Sequence, residues 1–160
     1  MKKINYIILN FILLILINNC AGYEPIFNTS NLKFKITNYS IKGDNYLGQK
    51  LYTKLHATSK NNTGQNLENI DVTINITKEK KPTSKDSTGK ILEYKITLKT
   101  EIKVNNYSTG DEILYENFIS TDSYKLQDQY SETLKLENQS IDNLINNTFQ
   151  EILIKLTQNI

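Results

Sequence analysis

The chain is predicted to be an α+β two-layer sandwich: a four-stranded, mainly antiparallel sheet with two helices on one face, in the order β-α-β-β-β-α. Three observations predict it. Long segments alternate apolar and polar residues at period two, which is the signature of strands with one dry face and one wet one. Two other segments repeat apolar residues at helical spacing. Turn residues separate the segments, with no linker long enough to divide the domain. Strands buried on one face only are expected where helices cover one side of an antiparallel sheet.

The first strand is read from Leu32, Phe34 and Ile36 set against Lys33, Lys35 and Thr37. A short helix follows, capped by Asp44 or Asn45, with Leu47, Leu51 and Leu55 as its apolar stripe. It fades through Thr58 to Gln65, where Asn61, Asn62 and Gly64 stop it. The next strand places Ile70, Val72, Ile74 and Ile76 against Asp71, Thr73, Asn75 and Thr77. Lys78 to Lys90, rich in Lys, Ser and Thr and broken by Pro82 and Gly89, reads as a polar hairpin connection. The clearest strand is Leu92 to Val104. There Leu92, Tyr94, Ile96, Leu98, Ile102 and Val104 alternate with polar neighbours, and Thr100 is the weak step. After the Ser108–Asp111 turn, Glu112 to about Ser123 alternates less cleanly: Ile113, Tyr115 and Ile119 share one face, and Leu114 and Phe118 take the other. The last element is a long helix from near Ser131 to about Gln158. Leu134, Ile141, Leu144, Ile145, Thr148, Phe149, Ile152, Leu153 and Leu156 lie on one side of it. At ~1.5 Å per residue it spans roughly 40 Å, which matches about 43 Å for the Leu92 strand.

Ahead of this domain, Lys2 and Lys3 precede an apolar run from Ile4 to Ile17, and then Cys20, the only cysteine. The pattern predicts a lipoprotein signal peptide over residues 1–19, cleaved so that Cys20 leads the mature chain and carries acyl groups. The run is shorter than the roughly twenty residues needed to cross a bilayer core, so a retained anchor is disfavoured. The residues alone leave open a secretory signal cut after Ala21 or Gly22 with no lipid. Residues 20–30 then form a tether, and 31–160 the single domain. Without Lys2 and Lys3 the formal charge of +2 falls to about zero, so no global field attracts nucleic acid or anionic lipid. All 19 basic residues are Lys, which removes the planar fork used for bidentate recognition of phosphate or carboxylate.

The segment Cys20-Ala21-Gly22-Tyr23-Glu24-Pro25-Ile26-Phe27 resembles the start of mature members of the LPS-assembly lipoprotein family, LptE: Cys-Gly-aromatic-x-Pro-aliphatic-aromatic, here one Ala longer. Ser120-Thr121-Asp122-Ser123-Tyr124 looks like the end of that family's last strand before its terminal helix, and the element order agrees over nearly the whole mature chain. The resemblance implies a lipid-anchored outer-membrane protein that faces the periplasm and plugs the lumen of an LptD-type outer-membrane β-barrel, assisting barrel assembly and lipopolysaccharide delivery. Ala21, where an Asp would hold a lipoprotein in the inner membrane, fits outer-membrane sorting by the same analogy. A polar sheet face suits a water-lined barrel interior, and suits bulk water equally.

No catalytic constellation is legible. His56, the single histidine, sits beside Leu55 on the short helix and reads as a solvated or edge residue. With Cys20 acylated, no Cys–His nucleophile pair or thiolate metal site can be built, and the six glycines form no phosphate loop. Neither a metal nor a cofactor is expected. The densest basic stretch holds Lys78, Lys80, Lys81, Lys85 and Lys90. As point charges at a loop tip, Lys78, Lys80, Lys81 and Lys85 are candidates for contact with lipopolysaccharide phosphates. The plainer reading is a solvated hairpin whose lysines keep the edge from pairing. The stretch has no interleaved aromatics, which argues against nucleic acid. Two other classes stay open: a periplasmic module binding a small ligand or lipid between sheet and helices, and a carboxylate-based envelope hydrolase.

Overall fold

The computed structural model describes residues 34–60 and 67–160. Leu32, the Asn61–Gly64 stop signal, Cys20, the 1–19 leader and the Gly22–Phe27 motif lie outside the described residues. The elements are β1 (Phe34–Gly43), α1 (Asn45–Lys60), β2 (Glu68–Lys85), β3 (Ile91–Asn106), β4 (Glu112–Lys125) and α2 (Tyr130–Asn159). This is the expected β-α-β-β-β-α order. The strands form one four-stranded sheet in the order β1-β2-β3-β4.

The sheet is mixed. β2–β3 and β3–β4 pair antiparallel, as hairpins must, while β1 and β2 pair parallel. The cause is α1, which carries the chain back along β1 so that β2 starts beside β1's own start. Gly43 makes that reversal: its φ is +76°, and a Cβ there would stand 2.2 Å from the Ile76 carbonyl oxygen. Asp44 then caps α1 by accepting from the Leu47 N–H at 3.1 Å.

β1 runs past its expected end at Thr37. Ile36 pairs with Ile70 but Asn38 with Asp71, so Thr37 is an extra residue that shifts the register. The shift reverses the alternation, and Tyr39 and Ile41, not Asn38 and Ser40, then lie level with the inward-facing Val72 and Ile74. In β4 a second shift sits at Ile113, which puts Leu114 and Phe118 in the core and leaves Tyr115 and Ile119 exposed.

The segment Lys78–Lys85 is not a loop. It continues β2, and the connection to β3 is the short turn 86–90. There Asp86 Oδ1 accepts from the backbone N–H groups of Thr88 and Lys90, and Gly89 takes φ +87°. β1 ends opposite Ile76, so among the described residues the edge of β2 from Thr77 to Lys85 carries no partner strand. Lysines and Pro82 occupy that edge, as on strands that resist adventitious pairing.

Between sheet and helices lies one core. Ile70, Ile74, Ile76, Ile96, Leu98 and Ile102 from the sheet are completely buried against Leu47, Leu51 and Leu55 of α1 and Ile141, Leu144, Ile145, Ile152, Leu153 and Leu156 of α2. Burying each such side chain contributes about 1.5–3 kcal/mol. Two expected core positions fall outside it: Leu92 and Leu134 are each 43% exposed. Both belong to the far end of the sheet, where no residue of α2 before Ser140 is buried.

Candidate functional site

Two surfaces carry the chemistry. The first is the sheet face opposite the helices. Register and alternation line up Asn75, Glu101 and Asn117 in one row, with Thr77, Lys99 and Ile119 in the next. Glu79–Thr97–Thr121 and Lys81–Lys95–Ser123 continue the series. Acid and amine are interspersed. Lys81 pairs with Glu79 at 2.6 Å, Lys103 with Glu112 at 3.0 Å, and the Tyr115 hydroxyl donates to Glu101 at 3.2 Å. These contacts are solvated and each contributes little to stability. What distinguishes the face is its two large apolar side chains, Tyr115 at 50% and Ile119 at 68% exposure. The Glu93–Lys103 alternation expected on this face is present there.

The second surface is a polar node at the far end of the helix side. Lys80 has the same parity as Ile74 and Ile76, so it points toward α2. Its ammonium lies 2.6 Å from Glu137 Oε2, 4.5 Å from the Tyr94 ring centre and 5.3 Å from that of Tyr124. The Tyr124 hydroxyl donates to the same Glu137 oxygen at 2.8 Å. Burial pushes the Glu137 carboxyl up, but the hydrogen bonds from Lys80 and Tyr124 and the nearby ammonium charge outweigh it, so its pKa is lowered. Burial likewise pulls Lys80 down, and its bonds to Glu137 and Tyr124 reverse that to a net rise. Tyr124 is raised, by burial first and then by Glu137. Next to the node, Ser140 Oγ donates to Asp122 Oδ2 at 2.5 Å, tying α2 to β4.

The four lysines expected to act together are therefore divided. Lys80 is aimed inward and held by Glu137, whereas Lys81 is on the opposite face and paired with Glu79. No ion pair among the described residues holds Lys78 or Lys85. Lys78 stands along the strand edge, and Lys85, the last residue of β2, stands beside the turn 86–90. The node's other members, Glu137, Tyr94 and Tyr124, were not singled out from sequence as site residues. One signal was present: Glu137 falls on the apolar stripe of α2, three residues after Leu134 and four before Ile141.

His56 is exposed on α1, its ring 5.5 Å from that of Tyr52, which stacks on Tyr39 at 3.8 Å. Among the described residues no group of three His, Cys, Asp or Glu side chains is placed to hold a metal ion. No described helix is long and apolar enough to cross a membrane.

No protein-family model matches the chain, and no curated protein matches it. Solved structures do share its fold. Rare lipoprotein B from Shewanella oneidensis superposes with a TM-score of 0.53 at 15% identity, over 76% of this chain and 95% of that one. An uncharacterized lipoprotein B from Nitrosomonas europaea gives 0.54 at 16% identity, over 83% and 88%. A minor lipoprotein from Acinetobacter baumannii gives 0.52 at 14% identity, over 79% and 94%. At such identities the likeness establishes a common fold.

Proposed function

We propose that this protein is an outer-membrane lipoprotein without catalytic activity, anchored by acyl chains on Cys20, that seats inside an LptD-type β-barrel as its plug during lipopolysaccharide assembly. The observation that carries the reading is the sheet face that no described element covers, which is polar, charge-balanced and punctuated by exposed Tyr115 and Ile119. A water-lined barrel wall is a surface of matching character. Near-neutral charge, interspersed Lys and Glu, and a few apolar anchors suit docking on such a wall better than binding to a uniformly charged polymer. The fold shared with proteins named as lipoproteins supports reading the Lys2–Cys20 segment as a lipoprotein leader.

Contact with lipopolysaccharide phosphates, in this reading, falls to Lys78 and Lys85, because Lys80 is engaged by Glu137 and Lys81 by Glu79. An interior ligand pocket is the competing function. The layer between sheet and helices counts against it over most of its length, since Ile74, Ile102, Ile145 and Ile152 are each 0% exposed; two hollows lie on the outer sheet face, and a third opens only at the far end of the layer.

The test is affinity purification of the tagged full chain from outer membranes extracted with mild detergent. Recovery of one large β-barrel in equimolar amount, and a diacyl- or triacyl-cysteine at Cys20 by intact-mass analysis, are the expected results. A chain recovered alone, or with Cys20 unacylated, overturns the proposal.

A further inference from the structure

A cleft of about 350 Å³ opens at the far end of the sheet, between the β4–α2 connection, the start of α2 and the end of the β2–β3 ribbon. Lys80, Glu137 and Tyr94 form its inner wall, and Tyr130 and Leu134, 79% and 43% exposed, form its rim. Three properties restrict what it can hold.

The apolar part consists of flat or branched carbon surfaces left in water: Tyr130, Leu134 and the half-buried Leu126. Such surfaces match the C–H face of a ring better than a flexible chain, which would need a deeper, enclosed slot.

The polar part offers donors and acceptors side by side. Glu137 Oε2 accepts from Lys80 and Tyr124, while among the described residues no donor reaches its Oε1. The Lys80 ammonium has three hydrogens and keeps at least one beyond these contacts. A hydroxyl placed between them accepts from the ammonium and donates to the carboxylate. Gln127 and Asp128, also in the lining, add a further donor and acceptor.

The charge part is a count. The lining holds one ammonium against two carboxylates, and Lys78 nearby offsets one of those, so the cleft has no excess of positive charge to draw in a phosphate or carboxylate. Lys80, read from sequence as a phosphate contact, is thereby placed in a site where its charge is already balanced.

We propose that this cleft is a saccharide site. It takes a neutral or amine-bearing pyranose, the C–H face of the ring lying on Tyr130 and Leu134, with vicinal hydroxyls bridging Lys80 and Glu137. The site does not depend on the barrel reading, since it is at the sheet's end and uses none of the open-face residues.

The experiment is two-dimensional NMR of the isotopically labelled full chain in a detergent without sugar head groups. It is titrated separately with maltose, N,N′-diacetylchitobiose, glucosamine and sodium phosphate. At least one saccharide is expected to shift the amide signals of Lys80 and of Gln127–Leu134 saturably at millimolar concentration, and phosphate is expected to leave them in place. Preference for the chitobiose over maltose assigns the ligand to acetamido glycans, and the reverse assigns it to hexose glycans. Tyr130→Ala, on an exposed residue outside the core, is expected to weaken binding about tenfold with the remaining spectrum unchanged. Glu137→Gln is expected to weaken it similarly. The proposal is overturned if none of the three sugars shifts these signals, if phosphate saturates the cleft, or if Tyr130→Ala binds as the parent does.

Discussion

Replacing Gly48 by Ala tests the register shift in β1. Gly48 is the fourth residue of α1, an ordinary helical position where Ala is favoured over Gly by about 1 kcal/mol. The Cβ that Ala adds would stand 2.4 Å from Ile41 Cγ2, with Ile41 Cβ and Cγ1 at 3.5 and 3.6 Å. Carbon atoms prefer roughly 3.5–4.0 Å, so the closest contact is short by about 1 Å. Ile41 cannot swing Cγ2 aside, because that methyl sits on a branched carbon with a stiff χ1. The helix or the strand must move, at roughly 1–3 kcal/mol. Set against the helical gain, Gly48→Ala should destabilise the protein by about 1 kcal/mol. In an Ile41→Ala background the clash disappears and only the gain remains, so the same substitution should stabilise by about 1 kcal/mol. Urea unfolding of the four proteins in this cycle should return a coupling near 2 kcal/mol. Zero coupling would mean that Ile41 does not face α1, and the register shift at Thr37 would be refuted.

Thr100 is 2% exposed and its hydroxyl has no hydrogen-bond partner among the described residues, so Thr100→Val should raise the urea midpoint, with an unchanged slope, by the equivalent of about 1 kcal/mol. A lower midpoint would mean that the hydroxyl is satisfied. Glu137→Gln should lower stability at neutral pH. Because the folded carboxyl titrates below its ordinary 4.5, the wild-type advantage is complete above that value and vanishes as pH falls through the lowered one. Lys80, raised above 10.5, keeps its side of the pair until pH climbs through its own folded value, and partial exposure of its side chain tempers both effects. Denaturation curves of parent and variant that stay equally far apart from pH 7 to pH 3 would contradict this. Ile119→Glu places a carboxylate opposite Lys99 on the open face and should change stability by less than about 0.5 kcal/mol. The same variant should lower recovery of a barrel partner several-fold, and undiminished recovery would remove Ile119 from the docking surface.

Element order, the antiparallel core of the sheet and most of the interior were legible because alternation and helical spacing are strong over Ile70–Ile76, Leu92–Val104 and Ile141–Leu156. The parallel β1–β2 pairing was implicit in a helix joining two neighbouring strands. What escaped was local. One extra residue at Thr37 inverts every later side chain of β1, so Asn38–Lys42 showed no pattern that could be extended from Phe34 and Ile36. Lysine and proline made Lys78–Lys85 read as a connection, yet the stretch is strand because a single partner, β3, suffices to hold it. Composition groups Lys80 with its neighbours, either as solvated charge or as a phosphate contact. The parity of Lys80 pointed inward all along, but only the placement of α2 supplies Glu137 to receive it.

The strand register also fixes a polarity of the whole molecule. Phe34, Glu68, Asn106 and the close of α2 gather at one end, while the turn 86–90 and Tyr130 mark the other. Sixteen residues of β3 separate the two, roughly 50 Å of extended chain. Whatever grips the segment leading into Phe34 therefore holds the protein like the butt of a rod, with the Tyr130 cleft at its outer tip. Anything touching that tip is met at a standoff wider than a bilayer's hydrocarbon layer is thick, which is about 30 Å.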